Sequence, residues 1–183
     1  MNIKLMSASA VIAVSMGAGA LAAMDPMVGG AAMYPTKNIV QNAVNSKDHT
    51  PLITAVKAAG LVPTLESPGP FTVFAPTNEA FAALPSGTVQ NLLEPANKAE
   101  LTKILTYHVV SGRYTAAILK QDCEATPGGR VSLKTVAGKP LIISLRGASL
   151  LVTDAKGGAA QVTIPDLYQS NGVIMVIDKV LMP

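Results

Sequence analysis

Phe71-Thr72-Val73-Phe74-Ala75-Pro76-Thr77-Asn78-Glu79-Ala80-Phe81 contains all three phenylalanines of the 183-residue chain. The aromatic and β-branched residues from Phe71 to Phe74 predict a half-buried strand. Pro76 has no N–H to give a ladder and holds Ala75 extended, so the strand ends there. Thr77 or Asn78 is placed to cap a helix whose first turn carries Glu79, where the helix dipole favours negative charge. Leu84-Pro85 ends that helix. The stretch is a strand that turns at once into a helix.

Upstream, helical spacing dominates. Thr36 is the expected cap of a helix with Ile39, Val40, Ala43 and Val44 on one face. Thr50 caps the next, with Pro51 in its first turn, Leu52, Ile53, Val56 and Ala59 as its apolar stripe, and Gly60 as its stop. After the opening stretch come a short helix at Val89–Leu93, another over 96–106, and a third from Thr115 to Leu119. Past Arg130 the chain alternates and turns in strand fashion: 130–136, 141–145, 150–153, 161–164 stopped by Pro165, and 173–180. Helices first and strands second predict an α+β fold.

The start of the chain is a different kind of segment. A short basic start with Lys4, an uncharged apolar run from Leu5 to Leu21 and Ala20-Leu21-Ala22 predict a cleavable signal peptide over 1–23. Export to the periplasm or beyond follows, with no stable membrane insertion after cleavage. Residues 24–35, with two Gly, two Pro and no periodicity, are expected to be a flexible lead-in. That leaves one domain over 36–183.

Composition narrows the function. There are 14 Lys and Arg against 11 Asp and Glu, and no basic cluster, so nucleic acid is not an expected partner. The one cysteine, Cys123, has no internal disulfide partner, so it reads as a small buried residue. No G-x-S-x-G elbow, zinc-ligand spacing or phosphate-cradling glycine motif occurs, and nothing calls for a cofactor or a metal. A hydrolase would need His49 or His108 beside a solvent-open nucleophile. His49, next to Asp48 and a helix start, is expected to be exposed.

Three segments carry a resemblance: Thr72 to Phe81, the Tyr107-His108 pair within Leu105–Val110, and Asn171-Gly172-Val173-Ile174-Met175-Val176-Ile177-Asp178-Lys179-Val180-Leu181. In order and spacing they resemble the two signatures and the central tyrosine-histidine motif of the fasciclin (FAS1) family. The resemblance implies a wedge-shaped β-sandwich with several short helices on one side. It implies an exported, non-enzymatic module for cell adhesion or surface and matrix association through a protein partner. Animal relatives link the tyrosine-histidine region to integrin recognition, which makes Tyr107 and His108 candidate binding residues. Arg113 and Tyr114, in the loop that follows, are candidates because loops carry contacts.

The residues themselves leave a bland alternative open. His108 enters an apolar strand, where a buried, hydrogen-bonded histidine is the ordinary outcome. Thr72, Phe74, Pro76, Thr77, Asn78, Phe81, Asn171, Gly172 and Asp178 are expected as structural motif residues, with Asn78 and Asp178 as buried polar brackets. The rival function is binding of a small molecule in a pocket between helices and sandwich.

Overall fold

The computed structural model describes residues 25–183; the expected signal peptide lies outside the described residues. The segment expected as a flexible lead-in is an ordered hairpin instead, β1 (Met27–Val28) paired with β2 (Ala31–Ala32). Val28 and Met33 are buried in the core, and that burial supplies the order that the local sequence lacks.

Helix α1 (Ile39–Ala43) starts at Asn38, not Thr36. Asn38 and Gln41 form a reciprocal capping box, each side chain accepting from the other's backbone N–H at 2.8 and 3.0 Å. Thr36 has Ile39 three residues on and can form no such box. A 3₁₀ turn at Lys47–His49 leads into α2 (Thr50–Ala59), which Gly60 stops with φ +73°. Then come α3 (Val62–Glu66), β3 (Phe71–Pro76) and α4 (Asn78–Ala82). Thr77 caps α4 by accepting from the Ala80 N–H.

After α5 (Thr88–Leu93), α6 (Lys98–Tyr107) and β4 (Val109–Ser111) comes α7 (Ala116–Ala125). Helix α7 runs past the expected end at Leu119, because Leu119 and Cys123 are both fully buried and lie one turn apart. The remaining strands are β5 (Arg130–Lys134), β6 (Pro140–Arg146), β7 (Ser149–Thr153), β8 (Ala159–Gln169) and β9 (Gly172–Ile177). Pro165 does not stop β8. The register against β9 shifts on both sides of Ile164, and Asp166 takes φ 57°, so the proline sits at a bulge that needs no ladder N–H. Strand β9 ends at Ile177 rather than Val180, and the tail leaves the sheet to bury Leu181.

Strand order in the seven-stranded sheet is β4-β3-β9-β8-β7-β6-β5. Its two ends meet at a Val110–Thr135 bridge and at the Val136 N–H, which donates to Val109 O at 2.8 Å. The sheet therefore curls almost closed. The two signature segments lie side by side as the parallel pair β3–β9, from Phe71 opposite Gly172 to Pro76 opposite Ile177. All six residues of β9 are buried, because both of its faces are covered. Val73, Ala75, Ile174 and Val176 face the core beneath α1, α2, α3 and α6. Phe74, Val173, Met175 and Ile177 face the second core, inside the curled sheet and under α7.

Candidate functional site

The motif residues act first as fasteners. Thr72 Oγ1 donates to Gly112 O at 2.7 Å and accepts from the Tyr114 N–H at 2.9 Å. A buried side chain of β3 thereby fixes the course of the Arg113–Tyr114 loop. The Asn171 amide bonds three separate backbone groups, at Ile39, Leu65 and Ser67. Gly172 has no room for a side chain, since a Cβ there would meet the carbonyl of Phe71. Phe74 is fully buried in the second core, and Phe81 is half-buried against the first.

The expected brackets differ in weight. Asn78 is half-buried and donates to Lys47 O at 2.7 Å, tying α4 to the 3₁₀ turn. Asp178 is exposed, and its carboxylate accepts from the Gln161 N–H at 2.7 Å, so it pins the end of β9 to β8 from the surface. The principal bracket is Asn171. Its partners lie in distant helices, and no local spacing announces them.

Tyr107 and His108 do not reach the surface. Tyr107 is fully buried, its hydroxyl donating to Pro140 O and accepting from the Ala155 N–H, both at 2.9 Å. His108 Nδ1–H donates to Ile104 O at 2.8 Å, and Nε2 accepts from the Leu181 N–H at 3.0 Å. That pair of bonds requires the neutral ring, and burial lowers its pKa to about 4. Asp154 completes the cluster by accepting from the Lys156, Gly158 and Met182 N–H groups. The motif fastens the C-terminal segment to the end of α6.

His49 is buried, not exposed: its Nδ1 is 2.9 Å from Ser46 Oγ, and the turn folds the ring inward against Ala75. Ser46 is itself buried, so this pair is no solvent-open nucleophile and gives no hydrolytic centre. Cys123 is buried, with Sγ 3.5 Å from Ile143 O, and burial raises its thiol pKa.

The loop after β4 has the opposite character. Arg113 is exposed, with Nη2 3.4 Å from Gln169 O at the end of β8. Tyr114 is half-buried against the second core. Neighbouring Gln169, Tyr168 is 46% exposed, and Ile118 on the first turn of α7 is 40% exposed. Asp166 accepts from the Ala116 N–H at 2.6 Å and ties α7 to β8. An arginine, two tyrosines and an isoleucine thus share one end of the sheet, a composition typical of protein contact surfaces. The sequence points to Arg113 and Tyr114; Tyr168 carries no signal of its own, being a strand residue left exposed near the end of β8.

Between helices and sheet lies a cavity of about 40 Å³, lined by apolar side chains such as Leu52, Val56, Leu105 and Ile174, with His108 at its edge. Small-molecule pockets occupy roughly 300–1,000 Å³. This one has space for little more than a water molecule and is too apolar to hold one. Among the described residues, no group of three or more His, Cys, Asp or Glu is placed to hold a metal ion. No helix among them is long and apolar enough to cross a membrane.

A family model described as Fasciclin domain matches residues 47–183. Protein sll1483 of Synechocystis sp. is 45% identical over 157 residues, which cover 86% of this chain and 79% of that protein. Immunogenic protein MPB70 of Mycobacterium bovis is 36% identical, covering 77% of this chain and 66% of that protein. Transforming growth factor-beta-induced protein ig-h3 of Sus scrofa is also 36% identical, over 90% of this chain but only 21% of its own length. Among solved structures, a FAS1 domain pair from the insect cell adhesion molecule fasciclin I superposes with a TM-score of 0.69. It is 18% identical and covers 80% of this chain and 51% of that one, so it speaks for the fold alone. The curled sheet, the parallel pairing of the two signature strands and the match over residues 47–183 lead to one statement: this chain belongs to the fasciclin domain family.

Proposed function

We propose that this chain is an exported, non-enzymatic interaction module that associates with a surface or matrix protein through its Arg113–Tyr114 end. The observation that carries the reading is the Thr72 clamp on that loop. Both bonds of the Thr72 hydroxyl hold the loop backbone from inside the sheet, while the Arg113 side chain stays exposed. A loop ordered before binding loses little entropy on docking. The exposed Tyr168 adds a broad aromatic surface beside it. Burial of Tyr107 and His108 removes the central motif from the contact and gives it a supporting role. The module works by contact, and the small apolar cavity argues against a ligand carried between helices and sheet.

The test is capture of envelope or matrix proteins by the immobilised exported chain, followed by return binding of the captured partner to variants. Arg113→Ala and Tyr114→Ala weaken that binding while circular dichroism stays native. Unchanged binding by both folded variants rejects this surface.

A further inference from the structure

The hairpin β1–β2 rests directly on the turn that buries His49. Gly29 O accepts from the Lys47 N–H at 3.1 Å. Gly29 has φ +58°, and a Cβ there would lie 2.5 Å from Ser46 Oγ and 2.6 Å from the Asp48 nitrogen. The hairpin tip therefore touches the 46–48 backbone, and only glycine fits. Ser46 Oγ is in turn bonded to His49 Nδ1 at 2.9 Å, with both residues buried. His49 Nε2 is buried beside the Ala75 carbonyl without a well-formed hydrogen bond. A buried ring with one nitrogen unbonded is tolerated when neutral and costly when charged.

We propose that His49 is a protonation-sensitive latch on the N-terminal hairpin. With the ring neutral, the Ser46–His49 pair holds the turn in the shape on which Gly29 sits. With the ring charged, the turn opens to hydrate the imidazolium, and the hairpin lifts to uncover Val28 and Met33.

The surroundings of the ring fit two states. Asp48 on its own turn, Glu79 at the start of α4 and the Ala75 carbonyl of β3 all favour the charged form. Burial outweighs them and lowers the ring's affinity for a proton. The hairpin brings no titratable group between Met27 and Met33, and α1 brings none. Lys47 shares the turn, and α2 carries only Lys57, at its far end. Asp48 and Glu79 are exposed, so an opened turn lets the charged ring meet both acids in water.

Amide hydrogen exchange on the exported protein tests the latch. The reporters are Met33, whose N–H donates to Pro26 O at 2.9 Å, and Lys47; Met175 in β9 reports global opening. For opening linked to one proton on an ordinary imidazole, protection at Met33 and Lys47 falls about fivefold from pH 6.5 to 5.5, beyond any change at Met175. In His49→Gln the fall is lost. Flat protection at Met33 and Lys47 in the unaltered protein overturns the proposal, and so does an equal fall in His49→Gln. If that variant does not fold, a nuclear magnetic resonance titration of the unaltered protein decides. Coincident midpoints for the His49 ring and the Met33 amide support the latch, and ring titration without a response at Met33 overturns it.

Discussion

The side-chain carbonyl of Asn171 accepts a hydrogen bond from the Ile39 N–H at 3.1 Å, although the two residues are 132 positions apart. The same amide donates to Leu65 O at 2.7 Å and to Ser67 O at 2.9 Å. One buried side chain thus satisfies the start of α1, the end of α3 and the following loop, from the turn between β8 and β9. Helix ends leave backbone groups without partners, and here another part of the chain supplies the missing ones.

Asn171→Ala leaves the Ile39 N–H and the Leu65 carbonyl buried without partners. Each orphaned group costs on the order of 1–3 kcal/mol, so a loss of about 3 kcal/mol is expected. Urea denaturation at neutral pH measures it, with the slope against denaturant unchanged. A loss below about 1 kcal/mol would show that water or local relaxation satisfies these groups.

His108 gives stability a pH dependence of defined sign. Its folded pKa is about 4, below the ordinary histidine value of 6.5, because burial disfavours the imidazolium. As pH falls below 6.5 the unfolded chain binds the proton first, so stability declines from about 6.5 to about 4 and then levels off. This residue's share of the loss is about 3 kcal/mol. Denaturation curves across that window show the decline, and His108→Gln removes this share of it, leaving the smaller one of His49. A profile as steep in His108→Gln as in the unaltered chain would assign the decline to other groups.

Cys123 should be silent in the folded protein. It is fully buried, and its thiol pKa is raised by burial, with Asp122 adding to the shift. A thiol reagent at pH 8 labels it at the rate of unfolding and at once in guanidinium. Rapid labelling of the folded chain would contradict the packing of α7 on β5 and β6.

Legibility in the sequence followed the range of the interaction. The strand-to-helix turn at Pro76–Thr77 and the Gly60 stop rest on contacts within a few residues, and both were readable. The α+β class followed from the order of periodicities. The hairpin at Met27–Ala32 was not readable, because its order comes from Val28 and Met33 entering a core built elsewhere. His49 looked exposed beside Asp48, yet the 3₁₀ turn rotates it inward. Helix α7 reads as short because the polar residues around Cys123 mask it as the second buried anchor after Leu119. Arg113 and Tyr114 were marked as loop residues, while the tyrosine-histidine pair was legible only as a motif whose burial three dimensions had to decide.

The tyrosine-histidine motif is internal and the Arg113–Tyr168 surface external, and one comparison tests that division directly. Binding to the captured surface partner is measured for Arg113→Ala/Tyr168→Ala and for Tyr107→Phe, alongside their thermal stability. The double variant should melt near the unaltered temperature and bind at least about tenfold more weakly. Tyr107→Phe, which loses the bonds to Pro140 and Ala155, should lose about 1–2 kcal/mol of stability and bind with unchanged affinity while folded. Full binding by the double variant, or lost binding by folded Tyr107→Phe, would contradict it.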